Sequence, residues 1–189
     1  MSKKLSIGAV RTRQNHLRAR YTAGFSLAEL LIVVLIMGIL LTITVTSAQS
    51  ARARARDTER KDTLKRLQVY LELYKDKNGN YPPTGAGQWF TSEPNNNTAV
   101  NYNGGDWIPY LAPSYIGALP RDPLGGPSKI IPTCDGWLSS YLYRSDTGAD
   151  YTILAHCSPE TTILDSDPFY DSVRYNHAFK VCTPGGCGL

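Results

Sequence analysis

The chain has 189 residues, with 20 Lys and Arg against 16 Asp and Glu and a formal charge of +4, which allows one ordinary domain plus extensions. Six of the basic residues (Lys3, Lys4, Arg11, Arg13, Arg18 and Arg20) fall in the first 24 residues beside no acid, so residues 25–189 hold 14 basic against 16 acidic side chains, a balance of −2. The basic excess belongs to the leader and gives no reason to expect nucleic acid as a partner of the rest.

After this leader comes a run from Phe25 to Val45 that has no charge beyond Glu29. As a helix it would be about 31 Å long, enough to cross a bilayer core, whereas a buried core helix of this kind runs to roughly 10–14 residues. A secretory signal peptide is the rival; it needs an apolar region of about 7–15 residues and a small-residue cleavage site. Thr46-Ser47-Ala48 could serve as that site, with a mature start near Gln49. The leader's cations suit a cytoplasmic N-terminus. Arg52, Arg54, Arg56, Arg60, Lys61, Lys65 and Arg66 lie beyond the run, however, and Asp57, Glu59 and Asp62 offset only part of them.

Glu29 is the odd residue in this stretch, because a carboxylate at mid-membrane costs about 2.5–3.5 kcal/mol on insertion scales and less near the interface. One explanation is local. Ser26-x-x-Glu29 has the spacing of a capping box, and an acid suits the positive end of a helix dipole. The other is that Glu29 needs a positive partner that the apolar run cannot supply; a cut after Gly24 would create one in the amine of Phe25.

Gly24-Phe25-Ser26-Leu27-x-Glu29, followed by an apolar run and preceded by a basic leader, resembles the prepilin motif of type IV pilins and of the pseudopilins of type II secretion. The resemblance implies that a membrane prepilin peptidase cuts after Gly24 and methylates Phe25, and that Glu29 pairs with the N-terminal amine of an adjacent subunit during assembly. It also implies a single-pass subunit in the cytoplasmic membrane, N-terminus inside, that an inner-membrane assembly platform builds into an extracellular or cell-envelope fibre. Type IV pilins often carry a Pro near the place of Thr46; here Gly38 and the threonines Thr42, Thr44 and Thr46 are what lower helix propensity.

From Ala48 to Asn78 there is no Pro or Gly, and Ala, Leu, Arg, Lys and Glu are abundant, so the helix is expected to continue to about Lys77. Ala51, Ala55, Leu64, Leu67, Leu71 and Tyr74 are expected to form its covered stripe. Arg52, Arg54 and Arg56, two apart, spread around the cylinder and read as solvated or facing lipid headgroups. Asn78-Gly79-Asn80 supplies a stop, which Tyr81-Pro82-Pro83 enforces. A long helix followed by Asn-Gly-x-Tyr-Pro, then Trp89 and Tyr115-Ile116-x-x-Leu119-Pro120-Arg121-Asp122-Pro123, extends the resemblance to about residue 155.

Residues 81–189 are rich in Gly, Pro, Asn and Tyr. Residues 85–105 read as a loop. Trp137 to Tyr143, Tyr151 to Ala155 and Val173 to Val181 read as strands, the first two joined by a turn from Asp146 to Asp150. They are expected to form a small antiparallel sheet with one face on the helix and tyrosines on the other.

Cys134, Cys157, Cys182 and Cys187 all lie beyond the apolar run. Four cysteines allow three pairings; the favoured one joins Cys182 to Cys187 and Cys134 to Cys157. A zinc site is the weaker reading, since there is no C-x-x-C pair and His156 beside Cys157 is a poor substitute. Asp146, Asp150, Asp165, Asp167 and Asp171 are turn formers. Because major pseudopilins often hold calcium in this region, Asp146 and Asp150 leave calcium open as the one cofactor. His16, His156 and His177 frame no nucleophile, and no enzyme is expected.

The expected architecture is α+β and type IV pilin-like: a leader at 1–24, a transmembrane and assembly helix at 25–47, its amphipathic continuation at 48–80, and a globular region at 81–189. The expected function is that of a self-assembling subunit of a pilus or pilus-like fibre, with a type II secretion pseudopilin as the alternative. A monomeric membrane-anchored binding protein and a secreted domain with a cleaved signal peptide are the readings from other classes.

Overall fold

The computed structural model describes residues 24–130 and 132–189, except for the side chains of residues 43, 44 and 46. The leader with its six cations and His16, and the threonine side chains expected to soften the helix at 44 and 46, lie outside the described residues. The chain divides between Thr44 and Val45 into two compact units.

A single helix, α1, runs from Leu27 to Asn78. In the first unit its described side chains are exposed all round, Leu30, Leu35 and Ile39 being each more than half accessible, and the helix is long and apolar enough to cross a membrane. The Thr42 hydroxyl donates back to the Ile39 carbonyl at 2.7 Å, a back-bond that hydroxyl side chains commonly make within a helix. At the far end Gly79 takes φ +82° and its N–H donates to the Lys75 carbonyl at 2.7 Å, while Asn78 Nδ2 donates to the Tyr74 carbonyl. A left-handed residue just past a helix end satisfies the last carbonyls in this way, which is why Asn-Gly stops the helix.

In the second unit, the sheet has the order β2-β1-β3-β4-β6-β5, the strands being β1 (Phe90–Thr91), β2 (Asn101–Tyr102), β3 (Ser140–Arg144), β4 (Thr152–His156), β5 (Tyr170–Asp171) and β6 (Tyr175–Cys182). The three long strands pair antiparallel, β3 to β4 to β6. The short β1 lies parallel to β2 and antiparallel to β3, so two strands arise within the stretch expected to be loop.

The register fixes which side chains share a face. Tyr141 stands opposite Ala155, which stands opposite Phe179; Tyr143, Ile153 and Val181 form the next row. These side chains form one core with Leu64, Leu67 and Leu71 of α1. The expected outward tyrosines are therefore a misassignment: Tyr141, Tyr143 and Tyr151 lie on the helix side and are fully buried. Tyr143 donates its hydroxyl to the Pro82 carbonyl at 2.8 Å, and Tyr141 stacks on Trp107 with ring centroids 5.7 Å apart. The opposite face is covered as well, since Leu142, Leu154 and Thr152 are buried there.

The covered stripe of α1 also differs from expectation towards the N-terminus. Ala51 and Ala55 are exposed, and the stripe of Leu64, Leu67 and Leu71 continues instead through Arg60 and Asp57, both buried, at the same alternation of three and four residues. Side chains on that row face the loops around Asp122 and Glu160, which supply carboxylates rather than apolar surface.

Candidate assembly site at the start of the long helix

Gly24 and Phe25 stand in the open: a Cβ added at Gly24 would meet nothing within 4 Å, and Phe25 is 83% accessible. A peptidase could therefore reach the Gly24–Phe25 bond without moving any described residue. Two residues on, the capping box is formed in full. Ser26 Oγ accepts the N–H of Glu29 at 3.2 Å, while Glu29 Oε2 accepts the N–H of Ser26 at 2.8 Å and its hydroxyl at 2.9 Å. The Ser26 carbonyl accepts the N–H of Leu30, the first turn of the ladder. Both bonds to the Glu29 carboxylate come from Ser26 and end on the same oxygen, Oε2. Among the described residues Glu29 Oε1 has no hydrogen-bond partner. A carboxylate held by one oxygen keeps acceptor capacity on the other.

In the second unit the helix is tied to the loops by an ionic cluster. Arg60 points Nε and Nη2 at the two oxygens of Asp122, at 2.8 and 2.9 Å. Its Nη1 donates to Asp57 Oδ1 at 2.8 Å and Glu160 Oε1 at 2.9 Å. Arg56 makes its own two-pronged pair with Glu160, at 2.6 and 2.5 Å, and Asp57 accepts the N–H groups of Glu160 and Thr161. Burial alone would lower the pKa of Arg60, but the hydrogen bonds and charges of its three carboxylates outweigh that and raise it. The hydrogen bond from Arg56 holds the Glu160 carboxyl below its ordinary value.

Sequence reasoning missed this cluster, reading Arg56 as solvated or facing lipid headgroups and counting Arg60 only among the cations beyond the apolar run. The signal that could have found it is the pairing of an Asp-Arg step in the helix, Asp57 to Arg60, with the Arg121-Asp122-Pro123 segment already singled out. Lys61 is also paired, with Asp167. Three of the cations beyond the apolar run, Arg56, Arg60 and Lys61, are thus paired within the fold.

Cys134 bonds to Cys157 with Cα atoms 5.8 Å apart, and Cys182 to Cys187 with Cα atoms 5.1 Å apart. Asp146 directs both oxygens at Arg144, at 2.7 and 2.8 Å, and accepts the N–H of Gly87. Asp150 lies against the loop closed by Cys182 and Cys187, where a Cβ on Gly185 would strike its carboxylate. Asp167 and Asp171 answer Lys61 and Lys180, the latter at 2.7 Å. Among the described residues no group of three or more His, Cys, Asp and Glu side chains is placed to hold a metal ion.

His156 and His177 have ring centroids 6.2 Å apart. Burial, with the charge of Arg174 and of His177, lowers the pKa of His156 to about 3. Its Nδ1 is buried with no hydrogen-bond partner.

Residues 19–45, which include Gly24, Phe25, Ser26 and Glu29, match the prokaryotic N-terminal methylation motif. The chain is similar to type II secretion system core protein G of Pseudomonas aeruginosa, at 32% identity over 133 residues that make up 69% of this chain and 88% of the relative. The corresponding proteins of Vibrio cholerae and Klebsiella michiganensis are each 29% identical, over 142 residues (70% of this chain, 92% of the relative) and 116 residues (61% and 77%). No solved structure matches significantly. The methylation motif at the head of a helix long and apolar enough to span a membrane, the α+β arrangement and the extent of these matches together place the chain in the pilin and pseudopilin family, as a structural subunit related to type II secretion system core protein G.

Proposed function

We propose that this chain is the repeating subunit of a pilus-like fibre. A prepilin peptidase removes residues 1–24 and methylates Phe25, and α1 anchors the subunit in the cytoplasmic membrane with its N-terminus inside. An assembly platform there then stacks the subunits through the apolar half of α1. The observation that carries this reading is the capped Glu29 at the head of a helix whose first unit is apolar all round. Such a surface is stable only in lipid or against other helices. A lone membrane carboxylate and a lone buried amine are each costly, so a pair of them from neighbouring subunits defines one axial offset.

Within this reading, similarity to the core protein G of type II secretion favours a short envelope fibre that works with a secretion machine over a long surface pilus. No cofactor is needed for the role. Calcium at Asp146 would compete with Arg144 for the carboxylate, and equal melting temperatures in calcium and in chelator would remove it from consideration.

The test is the intact mass and N-terminal residue of the protein from membrane and sheared fibre fractions, for the native chain and for Glu29→Ala. Methylated Phe25 in both, with fibres only from the native chain, is the expected result. A start near Gln49, an uncut leader on exported protein, or normal fibre yield from Glu29→Ala would overturn it.

A further inference from the structure

A second surface feature lies in the globular unit, beside the short strands β1 and β2. A cleft of about 370 Å³ is lined by Phe90 of β1, by Asn103, Asp106, Pro109 and Tyr110 of the segment after β2, and by Pro83. That volume falls in the usual range of small-molecule sites, roughly 300–1,000 Å³.

The lining segment is held rigidly from behind. Gly104 and Gly105 turn the chain at φ +60° and +100°, and the N–H of Asp106 closes the turn on the Asn103 carbonyl at 2.9 Å. Trp107, Ile108 and Leu111 are fully buried, and Trp107 Nε1 donates to the Pro120 carbonyl at 3.1 Å. Between these anchors Tyr110 is 69% accessible and sits at φ +62°. A left-handed conformation at a non-glycine residue costs on the order of 1–3 kcal/mol and persists only where its surroundings impose it. Here the imposed conformation leaves a large aromatic ring at the mouth of a cleft, where it contributes little to the core.

The chemistry of the lining selects the ligand. Asp106 is the only charged side chain among the described lining residues, so no cation is present to bind phosphate or a carboxylate. Both rings line the cleft, Tyr110 largely exposed and Phe90 partly packed on the core, and the Asn103 amide and the Asp106 carboxylate add a donor and acceptors to the same lining. A pyranose ring has the complementary character, with an apolar face of C–H groups and a rim of hydroxyls. We propose that this cleft binds a neutral saccharide, its ring face on Tyr110 and Phe90 and its hydroxyls on Asn103 and Asp106. A quaternary ammonium ion, drawn to the same rings and the same carboxylate, is the alternative that the test separates. The site does not depend on fibre assembly.

The experiment is saturation-transfer NMR with the full chain in a polyoxyethylene-ether detergent, which has neither a sugar nor a choline headgroup. The probes are cellotriose, chitotriose and choline chloride. Transfer to the ring C–H protons of a trisaccharide is expected, retained in Tyr110→Phe and Asp106→Asn. In Tyr110→Gly binding should weaken by roughly tenfold or more, a loss of about 1.4 kcal/mol. Glycine relieves the backbone strain there, so an undiminished melting temperature shows that the loss is not unfolding. Transfer to neither trisaccharide, transfer unchanged in Tyr110→Gly, or transfer to choline alone that Asp106→Asn abolishes would overturn the proposal.

Discussion

Arg60 and Asp122 meet end to end, two nitrogens on two oxygens at 2.8 and 2.9 Å, with both side chains wholly buried and 62 residues apart in the chain. Asp122 also accepts the N–H of Leu124, so the pair fixes the course of the loop that follows as well as its distance from the helix.

Removing Asp122 leaves Arg60 paired through Nη1 to Asp57 and Glu160 but strips the acceptors from its buried Nε and Nη2. Asp122→Ala is expected to lower unfolding free energy by about 3–5 kcal/mol. Arg56, whose side chain is 27% accessible, should matter less, and Arg56→Ala is expected to cost about 1 kcal/mol or less. Urea unfolding of the full chain in detergent micelles, followed by tryptophan fluorescence, ranks the two; equal losses would mean that the pairing with Asp122 is not the dominant tie.

Two buried groups set the pH dependence in opposite directions. The folded-state pKa of His156 is lowered from 6.5 to about 3. The unfolded chain therefore takes up its proton first, and the stability this residue contributes is complete above about pH 6.5 and lost as pH falls towards 3. His156→Phe is expected to flatten that decline in melting temperature.

Glu93 is the converse case: burial, opposed by Arg121 4.0 Å away and reinforced by Asp122, raises its carboxyl above the ordinary 4.5. Its contribution is present below that value and lost as pH rises through the folded pKa. Glu93 Oε1 is also buried without a partner. Glu93→Gln is expected to stabilise the protein at pH 7 and to make little difference at pH 4; a constant gain at both would show that ionisation is not involved.

The loop closed by Cys182 and Cys187 leaves no room for side chains where it lies on β4. A Cβ on Gly186 would overlap the Tyr151 carbonyl, whereas one on Gly188 would meet nothing within 4 Å. Gly186→Ala should destabilise by about 1–3 kcal/mol, the usual range for overpacking, and Gly188→Ala by little. Melting temperatures of the two variants under oxidising conditions make the comparison.

What could be read from the sequence follows from how local each cause is. Leu64, Leu67 and Leu71 announced their face by spacing alone, and Gly79 announced the stop, because helix periodicity and left-handed caps depend on neighbours in the chain. The capping box at Ser26 and Glu29 was legible for the same reason. Arg60 was not, since its burial is permitted only by Asp122 and Glu160, 62 and 100 residues away. Nor were β1, β2 and β5, each two residues long and too short to show any period. Tyr141 and Tyr143 were assigned to the wrong face because both faces of the sheet are covered, so alternation between polar and apolar side chains could not say which side met the helix.

The arginine pairs have a mechanical meaning as well. Tension along the 57–71 stretch of α1 acts on the sheet partly by sliding Leu64, Leu67 and Leu71 over aromatic rings and partly by shearing the bonds of Arg60. Apolar contacts have no preferred direction and give way gradually, whereas a two-pronged ion pair in a dry setting resists until it breaks. A subunit built this way should hold its length under modest pulling and then yield abruptly, with the rupture of Arg60 from Asp122 as the event that releases the loops.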